Sequence, residues 1–162
     1  MNTLLHQQFM TAAIKLAQTA IEHCGGPFGA VIVKDGQIIG RGSNQVTRHN
    51  DPTAHAEIEA IRNACQNINH YVLTGCTLYA SSQPCPMCLS AIYWARIDKV
   101  YYANTYEDAS KIGFDDAFIF RELRLPDEQK SITLARIKDP DVREKAQKVF
   151  QSWEQSEFKE PY

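Results

Sequence analysis

The spacing of apolar residues along the chain alternates between a pattern typical of helices and one typical of strands. Apolar residues recur every three or four positions from Thr3 to His23, which predicts an amphipathic helix. Phe28 to Val33 is an apolar run rich in valine and isoleucine, and Gln37 to Gly42 follows it after Asp35-Gly36. A strand, an Asp-Gly turn and a second strand form the strongest short-range signal for a β-hairpin.

Helical and strand patterns continue to alternate after this hairpin. We predict helices over Thr53–Asn67, Cys85–Arg96 and Glu107–Ile112, and strands over Thr77–Ser81, Lys99–Ala103 and Ile132–Ile137. Asp116 to Leu123 fits neither pattern clearly. Asp139-Pro140 predicts the start of a last helix, because aspartate is a good cap and proline is tolerated at the first helical position. The apolar face of this helix consists of Val142, Ala146, Val149, Phe150 and Trp153.

This order of elements predicts an α/β protein. A hairpin followed by strand–helix–strand units favours a three-layer α/β/α sandwich with a mixed sheet of about five strands. The connection through Cys85–Arg96 predicts a parallel pair of strands. A length of 162 residues suits a single domain, and we expect that domain to span residues 1–162.

Composition and charge narrow the choice of partners and location. The formal net charge is −2 and no run of five lysines or arginines occurs, so we expect no nucleic acid partner. No apolar run approaches the roughly 18 residues of a membrane span, and the first residues lack the pattern of a secretory signal. The five cysteines are odd in number and irregular in spacing, which predicts free thiols in the cytoplasm.

Two cysteines at the predicted start of a helix are candidates for metal binding. Cys85 and Cys88 are three residues apart and share one helix face. The positive end of the helix favours thiolates, which are the form that binds zinc. Taken alone, the pair is also compatible with two buried free cysteines or with a redox-active dithiol.

His55 and Glu57 extend this set. Residues two apart do not share a helix face, so both reach one site only at a helix start, where Pro52 and Thr53 place them. One nitrogen and two sulfur ligands leave one position of a tetrahedral zinc open, which is typical of catalytic sites. Glu57 is not needed as a ligand and is free to transfer protons to and from substrate.

A structural zinc site with four protein ligands is the competing interpretation. It would require Cys65 or Cys76 as the fourth ligand. Cys65 lies about 15 Å further along the predicted helix than His55, at 1.5 Å per residue. Cys76 begins a strand at the end remote from Cys85. We therefore expect both to lie in the core.

Four longer stretches carry a resemblance to a known family. They are GGPFGAVIVKDG (Gly25–Gly36), NDPTAHAE (Asn50–Glu57), PCPMCLSAIYWAR (Pro84–Arg96) and GFDDAFIF (Gly113–Phe120). Together they resemble the short bacterial guanine deaminases of the zinc-dependent cytidine and deoxycytidylate deaminase superfamily. The resemblance implies the cytidine-deaminase fold, one zinc ion per chain, and hydrolytic deamination of guanine to xanthine and ammonia.

The resemblance also implies roles for individual residues. His55, Cys85 and Cys88 match the zinc ligands, and Glu57 matches the proton shuttle. The expected substrate contacts are Asn44, Asp116, Phe28, Trp94, Ala56 and Tyr162. Without the resemblance, turn or cap positions are the preferred interpretation of Asn44 and Asp116, and a core position is the preferred interpretation of Phe28.

The resemblance also implies how the chains assemble, and the sequence departs from the family's pattern at one position. The family forms homodimers that exchange C-terminal segments, here about residues 139–162, so that Tyr162 covers the site of the other chain. Gln83 stands where the family usually has glutamate before Pro-Cys.

Other functions remain open at this point. Adenosine in tRNA, cytosine or an aminotriazine are alternative substrates for the same zinc chemistry, and the fold does not distinguish among them. A non-catalytic subunit that keeps zinc for stability is the alternative of a different class.

Overall fold

The computed structural model describes residues 3–161, so Tyr162 lies outside the described residues. The chain divides into two compact units, one ending at Phe120 and the other beginning at Arg121. A single domain over residues 1–162 stays a prediction.

The first unit contains a four-stranded sheet with the order β2-β1-β3-β4. The strands are β1 (Gly29–Lys34), β2 (Gln37–Ser43), β3 (Thr77–Ser82) and β4 (Lys99–Asn104). β1 is antiparallel to β2 and β3, whereas β3 and β4 are parallel. The predicted hairpin and parallel pair are therefore confirmed. Asp35 and Gly36 have φ values of 49° and 76°, as a two-residue hairpin turn of this type requires.

The helices of the chain lie close to their predicted positions. They are α1 (Thr3–Glu22), α2 (Val46–His49), α3 (Ala56–Ile68), α4 (Pro86–Trp94), α5 (Tyr106–Lys111), α6 (Asp116–Arg124) and α7 (Pro140–Glu154). The short α2 was not predicted, and the ambiguous segment after Asp116 is the helix α6. A 3-10 turn covers Asp127–Gln129.

The sheet is covered by helices on both faces. Successive side chains of a strand point to opposite faces, so the buried strand β1 contributes to two separate core clusters. Val31 and Val33 pack with Phe9 and Ala13 of α1 on one face. On the other face, Ala30 and Ile32 belong to a cluster that includes Ala56, Ala60 and Ala64 of α3. This arrangement confirms the predicted α/β/α sandwich.

A glycine on β2 sets how closely α3 approaches the sheet. A β carbon on Gly42 would overlap the carbonyl oxygen of Ala56 and the amide nitrogen of Ala60. The first turn of α3 therefore lies directly on β2. This close approach positions the two residues at the helix start, His55 and Glu57.

The prediction of a strand over Ile132–Ile137 is wrong for the described chain, and the sheet has four strands rather than about five. Ile132, Leu134 and Ile137 are each more than half exposed. The alternating pattern of a strand is present in the sequence. However, a strand also needs a neighbouring strand to pair with its backbone N–H and C=O groups, and this segment has none within residues 3–161.

The last helix of the second unit is the predicted capped helix. The side chain of Asp139 accepts a hydrogen bond from the Val142 N–H at 3.0 Å, and Pro140 follows the cap. Val142, Val149, Phe150 and Trp153 on the apolar face of α7 are all exposed in the single chain. No helix between residues 3 and 161 has the length and apolar character needed to cross a membrane.

Candidate active site

Two helix starts supply the metal-binding group. His55 is the N-cap of α3 and Cys85 is the N-cap of α4, and both have extended backbone conformations. Helix α3 begins later than predicted because Asp51 accepts hydrogen bonds from the Thr53 N–H at 2.8 Å and hydroxyl at 2.7 Å. This turn keeps residues 51–54 out of the helix, so the His55 side chain lies at its very start.

The distances among three side chains fit a tetrahedral zinc ion. His55 Nδ1 lies 3.6 Å from the Sγ atoms of both Cys85 and Cys88, and all three atoms lie within 4.8 Å of one another. Zinc bonds of about 2.0–2.1 Å to nitrogen and 2.3 Å to sulfur separate these ligand atoms by about 3.6 Å in a tetrahedron. Within residues 3–161, this is the one group of three such side chains, and it does not include Cys65 or Cys76.

The protonation of these side chains also favours a cation. The hydrogen bond from the Cys88 thiol lowers the pKa of Cys85 to about 4, and the same bond raises the pKa of Cys88. The hydrogen bond to Cys85 raises the pKa of His55. Two thiols this close do not both ionise unless a positive charge lies beside them. A divalent metal ion supplies that charge.

Glu57 lies beside this group but is not one of its members. It is in the first turn of α3 and is 7% exposed, and burial raises the pKa of its carboxyl group. A carboxyl group with a raised pKa holds a proton more readily near neutral pH than an exposed glutamate does. Glu57 is therefore suited to general acid–base chemistry.

One cavity of about 370 Å³ opens onto His55, Glu57 and Cys85. Its volume lies within the range of about 300–1,000 Å³ that is typical of sites for small molecules. The other lining residues are Gly26, Phe28, Asn44, Val46, Thr47, Pro52, Ser82, Gln83, Phe114 and Asp116. The structure thus brings Phe28, Asn44 and Asp116 to the candidate metal group.

The amide of Asn44 has a fixed orientation in this cavity. Its Oδ1 accepts hydrogen bonds from the backbone N–H groups of Gly26 at 3.2 Å and Val46 at 3.3 Å. Backbone N–H groups only donate, so the oxygen must face them and both of its acceptor positions are used. The Nδ2 group is left as a donor for a ligand.

Aromatic and acidic side chains complete the walls. The rings of Phe28 and Phe114 meet edge to face, with centroids 4.8 Å apart. Asp116 is the first residue of α6, and burial raises the pKa of its carboxyl group. The cavity therefore combines an aromatic wall, an amide donor and a carboxyl group, which is a set suited to a heterocycle.

Two expected substrate contacts within residues 3–161 are not among the lining residues, and a third falls outside that range. Ala56 is fully buried at the first position of α3. Trp94 ends α4 and is 60% exposed. Tyr162 lies outside the described residues. Contacts of these residues with a substrate stay predictions.

Several residues that line the cavity were not among the substrate contacts expected from the sequence. Phe114 lies within the quoted GFDDAFIF stretch, so that stretch was a usable signal for it. Val46 and Thr47 lie on the unpredicted helix α2, and no pattern in the sequence indicated them. Gln83 does line the cavity, and its backbone N–H donates to the Asn104 carbonyl oxygen at 2.9 Å.

Deaminases are among the curated proteins with similar sequences. Guanine deaminase of Bacillus subtilis (strain 168) is 52% identical over 133 residues, which cover 82% of this chain and 85% of that protein. The tRNA-specific adenosine deaminase of Aquifex aeolicus is 43% identical over 97 residues, which cover 60% of this chain and 64% of that enzyme.

Solved structures give a similar picture. The X-ray structure of guanine deaminase from Bacillus subtilis has a TM-score of 0.91 and 46% identity, and the match covers 100% of this chain and 99% of that chain. A solved complex with 8-azaguanine has a TM-score of 0.66 and 31% identity, and the match covers 68% of this chain and 65% of that one.

The family model for the cytidine and deoxycytidylate deaminase zinc-binding region matches residues 4–104. This range contains the three side chains of the candidate metal group as well as Glu57. The chain therefore belongs to the zinc-binding cytidine and deoxycytidylate deaminase family.

Proposed function

We propose that this protein catalyses the zinc-dependent hydrolytic deamination of guanine to xanthine and ammonia. The observation that carries the proposal is the cavity in which His55, Cys85, Glu57, Asn44 and Asp116 face one space. The relationship to guanine deaminase of Bacillus subtilis and to a protein that binds 8-azaguanine supports a purine as substrate.

In this proposal, His55, Cys85 and Cys88 hold the zinc ion. Zinc bound there would supply a Lewis acid that makes water nucleophilic at neutral pH. Glu57 accepts a proton from the attacking water and delivers it to a ring nitrogen of guanine. It then takes the second proton from the hydroxyl group that has been added at C2 and passes it to the amino group, so that the C–N bond breaks, ammonia leaves and C2 becomes a carbonyl carbon. Each of these proton transfers contributes roughly 10²–10⁴ in rate. The burial that raises the Glu57 pKa supports this role, because the carboxyl group must carry the proton between two sites.

The polar side chains of the cavity match the edges of guanine. The Nδ2 group of Asn44 donates to an acceptor atom of the purine, since its Oδ1 already accepts from Gly26 and Val46. The carboxylate of Asp116 accepts from guanine N–H groups. Phe28 and Phe114 provide an apolar surface for the flat ring. We assign Ala56, Trp94 and Tyr162 to the substrate site as well, on the resemblance alone.

Deamination of adenosine in tRNA is the second candidate. The relationship to a tRNA-specific adenosine deaminase favours it, although that match covers 60% of this chain. A net charge of −2 argues against it, because binding to a nucleic acid depends on many contacts between cations and phosphates.

Ammonia release by the zinc-loaded protein tests these alternatives. The substrates are guanine, adenine, cytosine, their nucleosides, an aminotriazine and a tRNA anticodon stem-loop, and Glu57→Ala is the control. We expect turnover of guanine that is lost in Glu57→Ala while the zinc content stays at about one per chain. Turnover of the stem-loop without turnover of guanine would make deamination of adenosine in tRNA the preferred function. If wild type and variant were equally inert on every substrate, the protein would be a non-catalytic zinc-binding subunit.

We infer that the working form is a homodimer with exchanged C-terminal segments. The apolar face of α7 and the unpaired segment 132–137 are exposed in the single chain, and a second copy would cover them. Light scattering should give about twice the 18.3 kDa mass of the chain. A monomer at micromolar concentration would contradict the dimer.

Mixed dimers test whether Tyr162 reaches the site of the partner. A chain with Glu57→Ala keeps its tyrosine, and a chain with Tyr162→Ala keeps its glutamate. If the segments are exchanged, unfolding and refolding the two variants together creates one complete site in each mixed dimer. Activity should then exceed that of either variant alone, whereas a simple average would contradict the exchange.

We also infer that the protein works in the cytoplasm. All five cysteines, Cys24, Cys65, Cys76, Cys85 and Cys88, are free thiols, which is typical of a reducing compartment. Fractionation of cells followed by immunodetection tests this location. Recovery of the protein outside the cytoplasmic fraction would contradict it.

A further inference from the structure

A tyrosine outside the cavity lining contacts the segment that leads to the metal-binding helix. The Tyr106 hydroxyl donates a hydrogen bond of 2.7 Å to the carbonyl oxygen of Pro84. Pro84 is buried and immediately precedes Cys85, the N-cap of α4. The carbonyl group of Pro84 belongs to the same peptide unit as the Cys85 nitrogen, so its orientation helps to set where the Cys85 side chain points.

A second hydrogen bond ties the same segment to the same part of the chain. The Gln83 N–H donates to the Asn104 carbonyl oxygen at 2.9 Å, at the point where β3 and β4 end side by side. Proline has no N–H to donate, so Pro84 and Pro86 leave the approach to α4 with few backbone anchors of its own. The connection from β4 to α5 supplies two of them.

The position of Tyr106 is fixed by the cap of its own helix and by a ring contact with Phe120. Tyr106 is the first residue of α5, and Thr105 caps this helix in a reciprocal box with Asp108. The rings of Tyr106 and Phe120 meet at 63°, with centroids 4.8 Å apart. Burial raises the pKa of Tyr106 to about 12, so the hydroxyl group keeps its proton at neutral pH and remains a donor.

We propose that Tyr106 is a positioning residue for the zinc site: through the carbonyl group of Pro84 it fixes Cys85 in the orientation that binds the metal. The proposal rests on the assignment of His55, Cys85 and Cys88 as zinc ligands in the proposed function. Loss of a hydrogen-bond partner of a metal ligand typically changes metal affinity by about 10- to 100-fold. Tyr106 acts through the backbone next to Cys85, so we expect an effect at the lower end of this range.

Tyr106→Phe tests the proposal, because it removes the hydroxyl group and keeps the ring that packs on Phe120. Tyr93→Phe is the matched control: it makes the same chemical change on α4, at a side chain that is 71% exposed and does not line the cavity. Zinc affinity is measured by competition with a chromophoric chelator, and ligand geometry is measured from the absorption of the cobalt-substituted protein.

We expect Tyr106→Phe to weaken zinc binding about 10-fold or more and to shift the thiolate-to-cobalt absorption, while Tyr93→Phe matches the wild type. Replacement of Tyr106 by 4-aminophenylalanine, which retains a donor, should restore both properties. If Tyr106→Phe lowers the melting temperature and leaves zinc affinity and the cobalt spectrum unchanged, Tyr106 has only a structural role and the proposal is wrong. If the wild type binds no zinc, the ligand assignment fails together with the proposed function.

Discussion

The side-chain oxygen of Asn44 accepts a hydrogen bond from the backbone N–H of Gly26 at 3.2 Å, and a β carbon on Gly26 would lie 3.0 Å from that same oxygen. The glycine therefore serves two purposes at one point of the cavity. It orients the amide of Asn44, and it leaves the space that this amide occupies. The orientation decides that Asn44 offers a donor rather than an acceptor to a ligand in the cavity.

Gly26→Ala should weaken guanine binding with little effect on the chemical step. A new methyl group at 3.0 Å from the amide forces Asn44 to shift by a few tenths of an ångström. A hydrogen bond strained in this way loses about 1 kcal/mol, so KM should rise roughly fivefold while kcat changes less. Steady-state kinetics with guanine measure both constants. An unchanged KM would contradict the role given to the amide.

Asn44→Asp should be far more damaging than its small change in shape suggests. The aspartate keeps an oxygen for Gly26 and Val46 but replaces the Nδ2 donor with a second acceptor. We expect a loss of about 2–3 kcal/mol in transition-state binding, which is roughly 30- to 150-fold in kcat/KM.

Asn63→Asp is the matched control for this change. Asn63 Oδ1 also accepts a hydrogen bond from a backbone N–H, that of Arg41 at 3.0 Å, but Asn63 does not line the cavity near the zinc ligands. The control should keep nearly all activity. Equal losses in both variants would show that a carboxylate in place of an amide harms the protein for reasons other than substrate contact.

Zinc affinity should fall as the pH falls, and the steepness of this decrease should equal the number of protons that zinc displaces from its ligands. The pKa of Cys85 is lowered to about 4, so this thiol is already ionised at neutral pH, whereas the raised pKa of Cys88 keeps that thiol protonated. Above the raised pKa of His55, metal binding must therefore displace about one proton. Below the raised pKa of His55 it must displace about two.

Chelator competition over a series of pH values measures this slope. We expect the logarithm of the association constant to decrease by about one per pH unit above the raised pKa of His55 and by about two per pH unit below it. Activity should disappear together with the metal. Full zinc occupancy at about pH 4 would contradict the ligand set, because thiolates and neutral imidazole are required.

Gly42→Ala should destabilise the protein through backbone overlap. A β carbon there meets the Ala56 carbonyl oxygen and the Ala60 amide nitrogen, and neither belongs to a side chain that can rotate away. Overpacking of this kind costs about 1–3 kcal/mol or more. Because α3 carries His55 and Glu57, zinc affinity should fall as well.

Gly36→Ala is the matched control for Gly42→Ala, because it introduces backbone strain without steric overlap. Gly36 has φ +76° and no atom within 4 Å of its β position, so alanine there meets strain but no clash. Its cost should be about 1 kcal/mol, with unchanged zinc affinity. Urea denaturation gives both free energies of unfolding. A smaller loss for Gly42→Ala than for Gly36→Ala would rule out the close contact between β2 and α3.

Patterns within a few residues predicted most of the regular structure and the metal chemistry. The Asp35-Gly36 turn, the cap at Asp139 and the pairing of Cys85 with Cys88 each depend on neighbours close in the chain. Hydrogen bonds and sterics at that range are set by residue type and spacing alone. His55, Cys85 and Cys88 were predicted as one metal-binding group from their residue types and spacing, and the structure brings these three side chains together.

Contacts between distant parts of the chain determined how the side chains in the cavity are oriented and which segments pair as strands. The orientation of Asn44 depends on Gly26, and the wall at Phe28 depends on Phe114. The segment 132–137 has the pattern of a strand but no partner strand among residues 3–161. Spacing along the chain gives a residue its chemistry and its local conformation. Which atoms it meets across the fold, and therefore which hydrogen bonds are left for a ligand, depends on tertiary packing.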